Sequence, residues 1–79
     1  MVSDDLPTLM WEARAAAGRL AELVAYAIAH ADPRAQVYRS GDPDARVVVI
    51  DPSGRGIPDV PDELLARPAH AWHFSAVPR

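Results

Sequence analysis

The chain has 79 residues, a formal net charge of −3 at pH 7 and no Cys. Its length predicts one domain, and a domain of this size hides only about 60% of the surface that its unfolded form exposes, so its stability needs extra support. Disulfides are excluded, the acidic balance argues against a nucleic-acid partner, and self-association is the remaining source of support.

The sequence carries no signal for a membrane or for secretion. No apolar run approaches the roughly 20 residues that a membrane span needs, and residues 1–7 lack the basic start of a signal peptide. All eight basic residues are Arg, a usage typical of a bacterial genome rich in G and C. We therefore expect a bacterial, cytoplasmic protein without a membrane partner, with residues 1–7 as a flexible lead-in and residues 8–79 as a single domain.

The first predicted elements are a strand and a helix. Residues 8–14, TLMWEAR, alternate in polarity and predict a strand with Leu9 and Trp11 on one face. Residues 18–31 predict a helix that buries one side and ends before Pro33. The apolar stripe of this helix consists of Leu20, Leu23, Val24, Ala27, Ile28 and Ala31.

The second half of the chain predicts a hairpin, a short helix and a last strand. Strands are expected over residues 35–40, AQVYRS, and 46–51, RVVVID, and the turn at residues 41–44 joins them into a hairpin. The segment PDELLAR at residues 61–67 predicts the second helix, and residues 69–77, AHAWHFSAV, predict the last strand. The β-branched run in RVVVID shows no alternation, which predicts a central strand that is buried on both faces.

The order β-α-β-β-α-β predicts an α+β, ferredoxin-like fold, with a four-stranded antiparallel sheet in the order 4-1-3-2 and both helices on one face. Two helices cover one side of the sheet only. The strands nevertheless carry apolar residues on both sides, among them Met10, Val48 and Ile50 opposite Trp11. Because an exposed apolar sheet surface marks an interface, we expect a homodimer in which the open faces of two sheets pack together.

The segment MWEARAAAGRLAELVAYAIAHA, followed by VYRS and VVVID, resembles the dimeric α/β-barrel family that is related to the antibiotic biosynthesis monooxygenases. This resemblance implies a homodimer with a pocket between each sheet and its own helices. The haem-degrading members use an Asn, a Trp and a His on the helical layer. Since this chain has no Asn and both Trp residues fall on predicted strands, no catalytic residue is carried over.

Three residues are candidates for proton transfer. Tyr26 and His30 are four residues apart on the helix and share a stripe with Glu22, so a phenol and an imidazole would lie side by side; a solvated helix border is the alternative. His73 is the third candidate. His70 and His73 form an HxxH pattern, but on a strand they point to opposite faces, so no metal site is expected.

Aromatic side chains on the predicted strands are candidates for binding a small apolar ligand. They are Trp11, Tyr38 and Trp72, and core or interface packing is the alternative role. Glu12 falls on the predicted dimer side, where a buried carboxylate needs Arg14 or Arg46 as a partner. The loop Ser53-Gly54-Arg55-Gly56 lacks the Lys of a phosphate-binding loop and is interpreted as a mobile connection.

Two functions follow as hypotheses. The first is a homodimer that binds a small apolar ligand or a protein partner without catalysis or a cofactor. The alternative is a cofactor-independent monooxygenase of the antibiotic-biosynthesis type that acts on an aromatic or quinone-like substrate, with His30 or His73 as the base. An RNA-recognition module of the same topology is excluded, because RVVVID carries no aromatic residue for base stacking.

Overall fold

The structure is a computed structural model that describes residues 7–41 and 43–79. The rest of the predicted lead-in, residues 1–6, and Asp42 of the predicted turn lie outside the described residues. The elements are β1 (Thr8–Arg14), α1 (Leu20–His30), β2 (Gln36–Arg39), β3 (Arg46–Asp51), a 3₁₀ helix (Asp62–Leu64) and β4 (His70–Phe74). Within the described ranges, no helix has the length and apolar character to cross a membrane.

The four strands form one sheet in the order β2-β3-β1-β4, and every neighbouring pair is antiparallel. Read from the β4 edge, this is the succession 4-1-3-2. On β3, Val47 and Val49 are buried, whereas Val48 and Ile50 on the opposite face are only partly buried. The expectation that β3 is buried on both faces is therefore wrong for the single chain.

The predicted two-helix, ferredoxin-like fold is wrong, because α1 is the one α-helix that the described residues form. The segment 61–67 makes only the short 3₁₀ helix and then extends beside the end of β1. There the Ala16 amide donates to the Leu64 carbonyl at 2.8 Å, and the Ala66 amide donates to the Arg14 carbonyl at 2.9 Å. Only six residues separate Pro61 from Pro68, too few for a helix to be stable by itself, so pairing with β1 decides the conformation.

Helix α1 begins two residues later than the apolar pattern predicted. Gly18 has a φ of +75°, in the left-handed region, and the Arg19 amide donates to the Ala16 carbonyl at 2.9 Å, so a turn precedes the helix. Leu23 and Ala27 are fully buried against the sheet. Ile28, which the predicted stripe included, is 63% exposed and lies outside the core.

The hydrophobic core lies on one side of the sheet. Its buried residues are Trp11, Ala13, Ala15, Leu23, Ala27, Val47, Val49, Ile57 and Leu64. Helix α1 packs against β2 and β3. Ile57 and Leu64, from the connection between β3 and β4, join the core beside Trp11 on β1. In the described residues, one helix and one irregular connection therefore cover the side of the sheet that two helices were expected to cover.

A substitution at Gly56 tests how the connection between β3 and β4 packs on β1. It has a φ of +75°, and a Cβ added there would lie 2.6 Å from Leu9 Cδ2. We expect Gly56→Ala to lower the free energy of unfolding by about 2 kcal/mol or more, since it adds a steric clash to the cost of a left-handed Ala. Urea denaturation, followed by the fluorescence of buried Trp11, measures this loss.

Two other glycines serve as controls for that variant. Gly18 also has a φ of +75° but has no atom within 4 Å of an added Cβ, so Gly18→Ala isolates the backbone cost of about 1 kcal/mol. Gly41 has an ordinary φ and open space around it, so Gly41→Ala should change the stability by less than about 0.5 kcal/mol. Equal losses at positions 18 and 56 would contradict the contact with Leu9.

Candidate functional site

Two surfaces on opposite sides of β1 are candidates for function. We call the first the open face, which is the side of the sheet away from α1. Strand alternation and register place on it Met10, Glu12, Arg14, Gln36, Tyr38, Arg46, Val48, Ile50, His70, Trp72 and Phe74. The side chains of Tyr38, Trp72 and Phe74 are 52%, 46% and 53% exposed, respectively. The exposed aromatic residues therefore lie on the two edge strands, with the partly buried Met10, Val48 and Ile50 between them on β1 and β3.

The open face contains a charged cluster around Glu12 on the inner strand β1. Glu12 is only 8% exposed, and its Oε2 atom lies 2.9 Å from Arg46 Nε and 3.2 Å from Arg67 Nη2. The predicted pairing of Glu12 with Arg46 is confirmed, whereas Arg14 lies nearer to Asp44, at 4.0 Å. Arg67 was not foreseen because it is 55 residues away in sequence and reaches Glu12 only through the extended segment beside β1.

The second surface is a groove of about 400 Å³ on the other side of the sheet, over β1 and β4. Its apolar floor contains Leu9, Trp11, Ile57, Val60 and Leu65, and its charged rim contains Arg55, Asp59 and Asp62. The backbone leading into β4, from Pro68 to Ala71, forms the other wall. This is the side of the sheet on which the second helix was predicted, and its volume is within the range of small-molecule sites.

The carboxylate of Asp51 holds one end of the connection that forms the groove. It is fully buried and accepts hydrogen bonds from the Ser53 amide at 2.8 Å, the Ser53 hydroxyl at 2.6 Å and the Gly56 amide at 2.8 Å. Burial raises the pKa of Asp51, but these hydrogen bonds to its charged form outweigh burial and leave the pKa below its ordinary value. The sequence predicted residues 53–56 to be a mobile connection, but hydrogen bonds to the Asp51 carboxylate hold both ends of this loop.

Asp51 is not among the residues that the sequence patterns singled out. A signal was present, because an Asp at the end of a strand, followed two residues later by Ser, is the pattern of a side chain that caps its own turn.

Tyr26 holds the middle of the same connection. Its hydroxyl lies 2.7 Å from the Pro58 carbonyl and 2.9 Å from the Asp59 carbonyl, to which it donates. Asp59 has a φ of +51°, which is uncommon for a residue other than Gly. The predicted neighbours Tyr26 and His30 are stacked, with ring centroids 3.9 Å apart. The His30 Nδ1–H donates to the Tyr26 carbonyl at 2.9 Å, so both side chains are engaged in local contacts.

A salt-bridge cluster joins the end of α1 to the rim of the groove. Asp32 is 8% exposed and lies 3.0 Å from Arg34 Nε and 3.5 Å from Arg55 Nη1. The side-chain hydrogen bond from Arg34, followed by the Arg34 amide and the charges of both guanidinium groups, lowers the pKa of Asp32 despite burial. Arg55 is therefore partly neutralised by a carboxylate outside the groove.

The predicted ligand-binding aromatics do not meet in one pocket. Trp11 is almost completely buried beneath the groove, whereas Tyr38 and Trp72 lie on the open face. The Tyr38 hydroxyl donates to Gln36 Oε1 at 3.0 Å, and Trp72 stacks on His70.

The two histidines of the HxxH pattern lie on opposite faces of β4, since His70 is paired with Glu12 and His73 with Leu9. Neither His30 nor His73 lines the groove. In residues 7–41 and 43–79, no group of three His, Cys, Asp or Glu side chains has the geometry to hold a metal ion. The catalytic roles proposed for Tyr26, His30 and His73 stay predictions.

No protein-family model, curated protein or solved structure matches this chain.

The hydrogen bonds to Asp51 predict an acid-sensitive fold. Because the pKa values of Asp51 and Asp32 are lowered in the folded chain, their contribution to stability is complete above the unfolded value near 3.9 and is lost as the pH falls through the lower, folded values. We expect Asp51→Asn to cost at least about 1 kcal/mol at pH 7 and to flatten the decline in the free energy of unfolding below pH 4. Denaturation measured from pH 7 to pH 2 tests both effects.

Ser53→Ala is the graded control for this prediction. It removes the hydroxyl donor but keeps the two amide donors, so its decline with acid should lie between those of the wild type and Asp51→Asn. An Asp51→Asn variant with the wild-type decline would show that Asp51 does not set the acid response.

Proposed function

We propose that this chain is a non-catalytic binding protein that acts as a homodimer, in which the open faces of two copies pack together. The observation that carries the proposal is the set of half-exposed aromatic residues at both edges of the open face, Tyr38 on β2 and Trp72 and Phe74 on β4. These rings adjoin the partly buried Met10 and Ile50, so the apolar surface spans all four strands. Aromatic residues are enriched at protein interfaces, because each one buries a large apolar area there.

The arrangement of charge on the open face is compatible with a second copy. In a two-fold dimer the same surface meets itself, so an unpaired charge at the centre would be costly. Glu12 lies on the inner strand β1 between Val48 and His70, and it is already paired within its own chain by Arg46 and Arg67. An approaching copy therefore meets the apolar residues Met10, Val48 and Ile50 beside a carboxylate that is already compensated.

Stability gives a second reason for association. A chain of 79 residues buries little apolar surface, and the core that its described residues form lies on one side of the sheet only. Packing the open face against another sheet would remove the exposed rings from water and add a second core. The groove lies on the opposite side of the sheet and stays accessible in such a dimer.

The non-catalytic part of the proposal is supported by the contacts of the candidate catalytic pair. The Tyr26 hydroxyl is engaged with backbone carbonyls, and the His30 Nδ1–H is bonded to the Tyr26 carbonyl. Both contacts maintain the fold of the chain. A general base needs to reach the proton that it abstracts from the substrate. His30 is exposed on the helix and is not one of the residues that line the groove, so it is not placed to act on a ligand bound there.

Charge substitutions on the open face test the dimer. The wild type should have a mass in solution of twice the 8.6 kDa of one chain. Ile50→Glu and Phe74→Glu each place a carboxylate in the proposed interface, which should weaken the dimer by about 100-fold or more. Light scattering after size-exclusion chromatography measures the mass of each variant, and circular dichroism establishes that it is folded.

Ile28→Glu is the matched control, since Ile28 is an exposed apolar residue on the helix side of the molecule. This variant should remain dimeric. A wild-type mass of one chain, at every concentration up to millimolar, would contradict the proposal. Dissociation by Ile28→Glu, with Ile50→Glu still dimeric, would place the interface on the helix side instead.

A further inference from the structure

The groove over β1 and β4 has the properties of a small-molecule site. Its floor is formed by apolar side chains, including the edge of the core at Trp11 and Ile57, and its volume of about 400 Å³ is large enough for one aromatic ring with a short chain. A ligand lying on this floor would cover the accessible parts of Val60 and Leu65, which are only partly buried, whereas Leu9, Trp11 and Ile57 are almost completely buried. Burial of that surface supplies affinity without specifying the ligand's charge.

The charges on the rim specify the ligand further. Within the described residues, Asp59 and Asp62 form no ion pair, whereas Arg55 lies 3.5 Å from Asp32. The positive group is thus compensated from outside the groove, and the two carboxylates are not. A cation above the apolar floor would meet two opposite charges, whereas an anion would meet both carboxylates as repulsive neighbours.

The backbone that carries Asp59 is held in place without a ligand. The Tyr26 hydroxyl contacts the carbonyls of Pro58 and Asp59, and the Asp51 carboxylate binds the Gly56 amide at the start of the same stretch. A site that is ordered before binding loses less conformational entropy when the ligand arrives. The rim is therefore organised by the fold and not by a bound group.

We propose that this groove binds a small hydrophobic ammonium, a protonated amine carried on an aromatic or aliphatic group. The apolar group lies on the floor beside Trp11, and the ammonium lies between Asp59 and Asp62. The inference rests on the proposed binding role of the chain but not on the dimer, because the groove and the open face are on opposite sides of the sheet.

Three probes with the same phenyl group and different charges test the proposal. They are 2-phenylethylamine, 2-phenylethanol and 3-phenylpropanoate, added to the full chain labelled with ¹⁵N. The two Trp indole N–H signals report separately on the two surfaces, since Trp11 lies under the groove and Trp72 lies on the open face. We expect the amine to shift the Trp11 signal and not the Trp72 signal, with an affinity about 10-fold higher than that of the alcohol, and we expect the carboxylate to bind weakest.

Charge-removing variants show which carboxylates recognise the amine. Asp59→Asn and Asp62→Asn should each weaken binding of 2-phenylethylamine by about 3- to 10-fold and leave binding of 2-phenylethanol unchanged. Asn tolerates the positive φ at position 59, so the backbone there is kept. Glu63→Gln is the matched control, because Glu63 is exposed next to Asp62 but does not line the groove. It should bind the amine as the wild type does.

Several results would overturn the proposal. Equal affinity for the amine and the alcohol would show that the charge of the ligand does not contribute to binding. Unchanged binding of the amine by both Asn variants would show that Asp59 and Asp62 do not recognise it. The absence of a Trp11 shift with all three probes would remove the groove as a site. The dimer is judged by mass alone, so a monomeric chain that binds the amine at Trp11 would keep this inference and contradict the interface.

Discussion

The buried carboxylate of Asp51 sets the path of the chain between β3 and the groove. It lies at the last position of β3, and its three hydrogen bonds turn the chain back towards β1. That turn brings Gly56 against Leu9 and places Ile57 in the core. A charged group without exposure is normally costly, but here each oxygen is satisfied by donors from the connection itself, which makes the carboxylate and the loop interdependent.

The open face depends on a different ionic group in the same central pair of strands. Glu12 on β1 forms salt bridges with Arg46 on β3 and with Arg67 in the segment before β4, so one carboxylate links three parts of the chain. The same face also carries the apolar Met10, Val48 and Ile50, with Trp72 and Phe74 on the edge strand β4. An edge strand with exposed aromatic rings and no Asp, Glu, Lys or Arg lacks the charges that usually protect such an edge from pairing, which is why the proposed dimer uses this face.

The regular elements with strong periodicity were predictable from the sequence, and the irregular part was not. β1 and β3 have the predicted bounds, and α1 differs by two residues at its start and one at its end. PDELLAR was predicted as a helix from its proline and charge order, yet a long-range pairing of Leu64 and Ala66 with β1 overrides that local preference. For the same reason the groove could not be foreseen, since its walls meet only through contacts between distant segments. Only the Asp-x-Ser pattern at Asp51 offered a local signal.

The groove and the open face share one cause. A sheet of four strands has two sides to cover, and the described residues supply one α-helix, which packs on β2 and β3. A second helix would fill the space over β1 and β4 with its own side chains. The connection fills it only at Ile57 and Leu64, because its backbone is directed by hydrogen bonds to Asp51 and Tyr26 rather than by helical periodicity. The space that remains beside Trp11 is therefore a consequence of the missing helix, just as the exposed rings on the other side are a consequence of the missing layer.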